Sequence, residues 1–257
     1  MGALALFAAP SARAQDGPIQ DNSFLLEEAY NQEARVVQHI FTWQRAREGN
    51  WDLAFTQEWP FLSQKHQLSY TIPFAFREES SETRFANVAL NYRYQLIGSG
   101  QTALAVAPRF SVYLGTGDET TGHGSRATAF ELGLPVSWAA NTWLVTHVNT
   151  SFRYTPSDRN AEGDRARTVS TSVGASAVFL LHPKANVFVE ALFTGGRAVI
   201  GPGTTDREQS ATINPGARFA IDLGRLQIVP GISFPIGFGP SSGERGVFLY
   251  LSLEHPF

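Results

Sequence analysis

Few residues in this 257-residue sequence have types and spacings that support catalysis or metal binding. The six histidines, at positions 39, 66, 123, 147, 182 and 255, do not follow metal-ligand spacing, and cysteine is absent. The absence of cysteine excludes disulfide frameworks, thiolate zinc sites, iron–sulfur clusters and thiol nucleophiles. No Gly-x-Ser-x-Gly elbow, P-loop or dinucleotide fingerprint occurs. The sequence therefore predicts no catalytic residue, no metal and no cofactor.

One stretch is a partial exception. Asp118, Glu119 and His123 are close enough along the chain to hold a cation together. Acidic surface loops that bind nothing are far commoner than cation sites, so a solvated loop is the favoured interpretation.

A more informative set of ionisable residues recurs on the polar side of alternating segments. Its members are Asp52, Glu58, Arg93, Arg109, Glu131, His147, Arg153, Glu190, Arg218 and Asp222. Five acids and four arginines nearly balance, and a charge removed from bulk water needs a partner or retained water. These residues are candidates for lining a lumen. They would either fill it with mutual salt bridges or form the walls of a narrow pore that carries both signs.

The segments that must position these side chains are strands. Between His66 and Phe76 every second residue is apolar, and the residues between them are small or polar. Twelve runs of this kind lie near residues 35–46, 50–59, 66–77, 84–96, 102–114, 126–138, 142–154, 167–181, 185–197, 209–222, 225–238 and 246–257. Three of them alternate weakly, so ten or fourteen strands are the alternatives. Each run is long enough for a tilted strand to cross a bilayer.

The connections between these runs sort by length. The longer ones are Glu78–Thr83, Thr116–Ser125, Thr155–Ala166, Ala198–Glu208 and Gly239–Arg245, and Arg47–Gly49 is a short exception. The connections between them are short: Pro60–Lys65, Ile97–Gln101, Ala139–Asn141, His182–Lys184 and Leu223–Gly224. Long loops on one rim and tight turns on the other are typical of outer-membrane barrels with both termini in the periplasm.

The two ends of the chain carry export and assembly signals. Residues 1–14 predict a signal peptide, with an apolar run before Ala12-Arg13-Ala14 and cleavage before Gln15. At the other end Val247, Leu249, Leu251 and Leu253 alternate in phase with a terminal Phe257. This pattern resembles the C-terminal signal that the barrel assembly machinery of outer membranes recognises.

Composition and hydropathy exclude two other classes. The net charge is -3 and the basic residues are scattered, so no nucleic-acid partner is expected. The long uncharged stretches Leu132–Phe152 and Leu226–Gly243 contain prolines and polar residues that would break a membrane helix.

Two segments resemble a known family. Residues 21–33, Asp-Asn-Ser-Phe-Leu-Leu-Glu-Glu-Ala-Tyr-Asn-Gln-Glu, and residues 55–60, Phe-Thr-Gln-Glu-Trp-Pro, are similar to bacterial outer-membrane proteins labelled after the meta-pathway of phenol degradation, or loosely as transporters. The resemblance implies a barrel and suggests passage of small molecules. It brings no catalytic motif.

Residues 15–34 precede the first strand and do not alternate. Phe24, Leu25 and Ala29, with Tyr30 as a further candidate, could form an apolar stripe behind an Asn22 or Ser23 cap, which predicts a short helix. Such a segment either lies in the periplasm or enters the lumen as a plug, and the sequence leaves both open.

Together these features predict an all-β transmembrane antiparallel up-and-down barrel over residues 35–257, located in the bacterial outer membrane. The expected partners are outer-membrane lipid and lipopolysaccharide, the barrel assembly machinery and a small solute. The favoured function is a channel for passive passage of small solutes, with small aromatic or hydrophobic compounds as one class. A structural barrel without transport is the alternative. A lipid-modifying enzyme built on His39 is less favoured, because no serine partner can be assigned.

Overall fold

The computed structural model describes residues 23–257, which form one closed sheet of twelve antiparallel strands. The predicted signal peptide lies outside the described residues. The strands are β1 Val36–Ala46, β2 Trp51–Phe61, β3 Ser63–Arg77, β4 Glu82–Phe85 with Ala89–Tyr94, β5 Leu104–Val106 with Arg109–Tyr113, β6 Ala129–Asn141, β7 Leu144–Arg159, β8 Arg165–His182, β9 Ala185–Gly201, β10 Thr204–Phe219 with Ile221–Leu223, β11 Leu226–Ser233 with Ile236–Gly237, and β12 Gly246–Pro256.

The first and last strands close the barrel. Each strand pairs with its neighbour in sequence, and β1 pairs with β12 as well as with β2. Trp43 of β1, for example, lies opposite Leu249 on one side and Leu53 on the other. Closure leaves no unpaired sheet edge, which is the condition for a sheet to lie in lipid. The predicted all-β barrel of twelve strands is confirmed.

The barrel is apolar outside and polar inside. Outward side chains such as Leu132 and Val173 are 62% and 55% exposed, whereas the inward Glu190, Asn214 and Ser137 are fully buried. This is the reverse of a soluble protein, in which exposed apolar patches are small. The period-2 pattern of the sequence therefore placed most side chains on the correct face.

Two predicted loops are wrong in extent. Strand β7 continues to Arg159 and β8 begins at Arg165, so most of the predicted loop 155–166 is a paired hairpin. Strands β9 and β10 likewise run to a two-residue turn at Pro202 and Gly203, within the predicted loop 198–208. Above the apolar belt both faces of a strand can be polar, so alternation disappears from the sequence while backbone pairing continues.

The short connections are tight turns, as expected. Leu62 joins β2 to β3 with a φ of 63°, and Gly224 between β10 and β11 has a φ of 65°. No helix in the described part of the chain is long and apolar enough to cross a membrane. Its two helical turns are the 3₁₀ segments Glu119–Thr121 and Gly239–Ser241.

The predicted helix near residues 22–33 is wrong over its described part. Residues 23–35, called the internal segment below, contain bends and a turn but no helix. Phe24 adopts a left-handed φ of 69°, which interrupts helical backbone at the second described residue. The backbone N–H groups of Leu25 and Leu26 donate to a side chain of the barrel wall instead of to a helical turn.

The C-terminal strand leads to our first prediction. Val247, Leu249, Leu251 and Leu253 of β12 lie on the outward face, and the N–H of Phe257 donates to the carbonyl of Arg35 at 2.9 Å. Deleting Phe257 or replacing it with Asp should reduce the level of assembled barrel several-fold, because its exposed ring has little packing to lose and is free to serve as an assembly signal. Heat-modifiable gel mobility of membrane fractions measures this. Replacement by Tyr is the control, and an Asp variant at normal levels would contradict the prediction.

Candidate functional site: the lumen and its internal segment

The internal segment crosses the lumen, and its backbone is held by side chains of the wall. The N–H groups of Leu25 and Leu26 each lie 3.0 Å from Oε1 of Glu190 on β9. The second carboxylate oxygen accepts a hydrogen bond of 2.6 Å from the side-chain amide of Asn214 on β10. Carboxyl oxygens accept hydrogen bonds, so the side chain of Glu190 matches a pair of converging N–H donors.

The middle of the segment is held by neutral polar side chains of β6 and β7. Asn149 forms a reciprocal pair with the backbone of Glu27, accepting from its N–H at 2.7 Å and donating to its carbonyl at 2.8 Å. The N–H of Ala29 donates to Oγ of Ser137 at 2.7 Å, and that hydroxyl also lies 2.7 Å from Nδ1 of His147. These contacts replace the sheet ladder that the segment lacks.

The far end of the segment is held from β3 and β4. Gln67 accepts from the N–H of Gln32 at 2.7 Å, and Gln95 accepts from the N–H of Asn31 at 3.0 Å. Gln95 also donates to the carbonyl of Ala29 at 2.8 Å.

Arg93 on β4 closes this end of the segment. Its guanidinium donates to the carbonyls of Glu28 and Tyr30 and to the side chain of Asn31. Because a guanidinium carries five fixed N–H donors, one arginine satisfies three acceptors on an irregular backbone.

Two apolar side chains anchor the segment. The ring of Phe24 stacks on Tyr250 at 4.7 Å and meets the edge of Phe188 at 4.6 Å. A Cβ at Gly231 would lie 2.2 Å from this ring, and a Cβ at Gly174 would lie 2.4 Å from Leu26. The two glycines therefore leave the room that Phe24 and Leu26 occupy.

The predicted lumen residues form one network and several separate pairs. Glu131 accepts from Arg109 at 3.1 Å and from Arg153 at 2.9 Å, and the guanidinium of Arg153 lies 4.0 Å above the Tyr113 ring. Arg109 also pairs with Glu27 of the internal segment. This network lies directly beside the segment and links it to the wall on the side of the β7–β8 and β9–β10 hairpins.

The remaining predicted residues are more widely placed. Glu58 lies 3.9 Å from Arg93, Asp52 pairs with Arg77 at one rim, and Asp222 pairs with Lys184 at the other. His147 and Arg218 are buried and line a cavity on the side of the short turns. Glu190 is bound by N–H donors rather than by a cation. The ten residues thus share the inward face but do not form a single cluster.

The sequence reasoning missed the neutral residues that hold the segment. Gln67, Gln95, Ser137 and Asn149 have the same inward parity as the predicted charged residues, and that parity was the available signal. A neutral amide carries no charge to mark it in the sequence, although it offers both a donor and an acceptor to a backbone.

The lumen contains cavities on both sides of the internal segment. On the side of the long hairpins, two cavities of about 360 and 310 Å³ share Tyr113, Arg153, Ser170 and Thr194 in their walls. Leu25, Leu26 and Glu27 line the deeper of these two. On the side of the short turns, a cavity of about 270 Å³ is lined by Glu28 and Tyr30. The internal segment therefore separates two compartments of the lumen. The one on the side of the long hairpins is called the outer compartment below, and the one on the side of the short turns is called the inner compartment.

The loop that was considered for a cation is ion-paired instead. Asp118 pairs with Arg84 and Arg126 at 3.1 Å each, and Glu119 accepts from the N–H of Arg126 at 2.9 Å. The hydrogen bond from Thr120, together with the charge of Arg126, lowers the pKa of Asp118 below its ordinary value despite partial desolvation. Within residues 23–257 no group of three His, Asp or Glu side chains is placed to hold a metal ion.

His39 lies on the outward face, as the sequence indicated. Its Nε2 is 3.3 Å from Nε2 of His255 on β12, and its ring stacks on Phe55. The hydroxyl nearest to a histidine in the lumen, that of Ser137, is buried beneath the internal segment. The geometry gives His39 an imidazole partner rather than a nucleophile.

The closed barrel, its apolar exterior and its polar interior define the architecture of a bacterial outer-membrane β-barrel. No protein-family model matches the sequence, and no curated protein is similar to it. Its fold is similar to that of solved barrels. The COG4313 outer membrane channel from Pseudomonas putida F1 has a TM-score of 0.69 at 10% identity, over 93% of this chain and 100% of that one. The KdgM porin has a TM-score of 0.54 at 9% identity, over 86% and 99%.

Proposed function

We propose that the protein is an outer-membrane channel for the passive passage of small solutes, and that the internal segment holds it closed in the conformation described above. One observation carries the proposal: residues 25–30 lie between two compartments that together extend from one rim of the barrel towards the other. Displacing these residues would join the compartments. A barrel with a purely structural role has no need of cavities on both sides of the internal segment.

The attachment of the segment favours a removable closure. Most of its contacts with the wall are single hydrogen bonds to its backbone, and its apolar anchoring rests mainly on Phe24 and Leu26. Water in an open lumen could replace each hydrogen bond at a net cost of only about 0.5–1.5 kcal/mol. Opening would also expose the ring of Phe24, and the loss of this apolar burial favours the closed state. The replaceable hydrogen bonds still allow the segment to leave.

The walls indicate a small solute. Near the outer rim the network of Arg109, Glu131 and Arg153 presents both signs of charge, which disfavours selection of one kind of ion. The inner compartment includes Tyr30, Val145, Val178 and Leu180 among its lining residues. An uncharged molecule with polar and apolar parts suits both environments, and small aromatic compounds belong to this class. The names of the two similar structures, a channel and a porin, are in keeping with this proposal.

Planar-bilayer recording tests the proposal. Wild-type protein should give rare openings of small unit conductance with weak ion selectivity, because the segment closes the lumen most of the time and the wall charges nearly balance. Replacing Arg109 and Arg218 together with Gln should shift the reversal potential towards cation preference. Replacing Lys65 and Arg225 at the short-turn rim is the control with the same change in net charge. A complete absence of conductance in every variant would favour the structural barrel instead.

The orientation is part of the proposal and gives a further prediction. The long hairpins should face outwards and the short turns should face the periplasm, because assembly machinery leaves short turns on the periplasmic side. Epitope tags at Gly163 or Gly122 should be accessible to antibody on intact cells, and a tag at Thr142 or Pro183 should not. Permeabilised cells are the control for tag detection. The reverse labelling pattern would contradict the orientation.

A further inference from the structure

Three arginines on adjacent strands form an outward-facing cationic patch at the rim of the long hairpins. Arg167 belongs to β8, Arg197 to β9 and Arg207 to β10, and all three are exposed. Their neighbours Thr168, Gly196 and Glu208 line the outer cavity, so alternation places the three arginines on the outward face, and Arg197 also borders that cavity. Arg197 and Arg207 are direct cross-strand partners.

The arginine patch lies just above the apolar belt. On β8 the outward Val169 is two residues from Arg167, which corresponds to about 7 Å along the strand. On β9 the outward Phe193 is four residues from Arg197, or about 13 Å. Both apolar side chains are exposed on the lipid-facing surface. The guanidinium groups are therefore at the height at which lipid headgroups begin.

The patch has no nearby negative charge on its own face. The outward positions of residues 165–171, 193–199 and 205–213 include no Asp or Glu. None of the ion pairs formed among residues 23–257 involves Arg167, Arg197 or Arg207. The guanidinium of Arg197 donates a hydrogen bond to the hydroxyl of Thr205 at 3.3 Å. Like charges directly opposite each other destabilise an antiparallel pair, so an anion between Arg197 and Arg207 would relieve a cost of the bare fold.

We propose that Arg167, Arg197 and Arg207 form a binding site for the phosphate groups of the outer-leaflet glycolipid, lipopolysaccharide. Guanidinium groups bind phosphate oxygens in bidentate geometry, and the acyl chains of the same lipid would lie on the apolar rows below. The site rests on the proposed outward orientation of the hairpins. A bound glycolipid would join the β7–β8 and β9–β10 hairpins, which form one wall of the outer cavity.

The test is lipid binding to the purified full-length protein in detergent, measured by native mass spectrometry. The probe is lipid A that carries two phosphates. The same lipid without phosphates, phosphatidylglycerol and inorganic phosphate are the comparison ligands. The test variant is R197Q/R207Q, and R197K/R207K retains the charge without the bidentate geometry. The control is K65Q/R225Q, which removes the same charge from the opposite rim, where neither residue forms an ion pair with another described side chain.

We expect R197Q/R207Q to raise the apparent Kd for phosphorylated lipid A about tenfold, as expected for the loss of exposed charge-assisted hydrogen bonds. The Lys variant should bind with intermediate affinity, and the control should bind as the wild type does. Equal binding by R197Q/R207Q and the control would overturn the proposal. So would equal binding of the dephosphorylated lipid, of phosphatidylglycerol, or competition by inorganic phosphate at equal concentration. Lipid binding is measured without any conductance reading, so this result does not depend on whether the channel hypothesis holds.

Discussion

Deletion of residues 23–33 is expected to convert rare openings into a continuously conducting pore, with at least about a hundredfold higher open probability. The physical reason is that this segment lies between the two compartments of the lumen, with Leu25, Leu26 and Glu27 lining one and Glu28 and Tyr30 lining the other. The barrel should remain folded, because its strand pairing does not include these residues. Planar-bilayer recording of the purified variant is the measurement.

A matched control separates gating from general damage. Replacing residues 24–30 with a Gly/Ser sequence of the same length keeps the chain but removes Phe24 and Leu26, the apolar anchors. This variant should flicker between closed and open states, because a flexible tether occludes the lumen only part of the time. Heat-modifiable mobility identical to that of the wild type would establish that the barrel is intact. If the deletion is folded and does not conduct, the channel hypothesis fails.

Glu190→Leu is expected to raise the open probability at least about tenfold while the barrel stays assembled. The substitution leaves the N–H groups of Leu25 and Leu26 and the amide of Asn214 without their common acceptor. A hydrogen bond to a charged group contributes about 1.5–3 kcal/mol, and an unsatisfied buried donor costs about 1–3 kcal/mol. Water can bind the same N–H groups when the segment leaves the lumen, so the substitution destabilises the closed state relative to the open one.

Two further variants sharpen the test of Glu190. Glu190→Gln keeps one acceptor oxygen in place and should give an intermediate open probability. Glu208→Gln removes a carboxylate from the wall of the outer cavity without touching the segment and should behave as the wild type does. Should Glu190→Leu and Glu208→Gln conduct alike, Glu190 would not be what holds the segment.

A substitution that adds only a methyl group to the wall should displace the internal segment without changing any charge. A Cβ at Gly174 would lie 2.4 Å from Leu26, whereas a Cβ at Gly195 would have no neighbour closer than 3.5 Å. Gly174→Ala should therefore shift the segment and increase conductance, and Gly195→Ala should not. Agreement between the electrostatic and the steric variants would assign the effect to displacement of the segment rather than to a change in the lumen potential.

The architecture could be predicted from sequence because the bilayer imposes a simple rule. A residue that faces lipid must be apolar and its neighbour must face the lumen, so the period of two is visible in the printed sequence. Alternation alone therefore assigns Leu132 to the lipid face and Arg153 to the lumen. The hairpin ends near residues 155–166 and 198–208 could not be predicted in this way. Above the membrane neither face of a strand contacts lipid, so apolar and polar residues need not alternate.

The assignment of nine charged residues and His147 to the inward face followed from parity, but their partners did not. Partnership depends on the register between strands and on distance across the lumen, neither of which a single strand encodes. Glu131 receives two arginines, one on a strand before it and one on a strand after it, whereas Glu190 receives none and binds backbone N–H groups instead. Nothing in the local sequence distinguishes these two glutamates.

The sequence by itself determined the barrel and the polarity of its two faces, because those follow from solvation of each residue by lipid or by the lumen. It indicated about twelve strands, and the tertiary structure decided that number. Only the tertiary structure decided what fills the lumen. Residues 23–35 have no periodicity of their own, and their conformation is imposed by acceptors and donors on strands distant in sequence, from Gln67 to Glu190. When the backbone hydrogen bonds of a segment are made to distant strands, its own sequence does not indicate its conformation. Whether the lumen is open or closed therefore cannot be predicted from residues 23–35 alone.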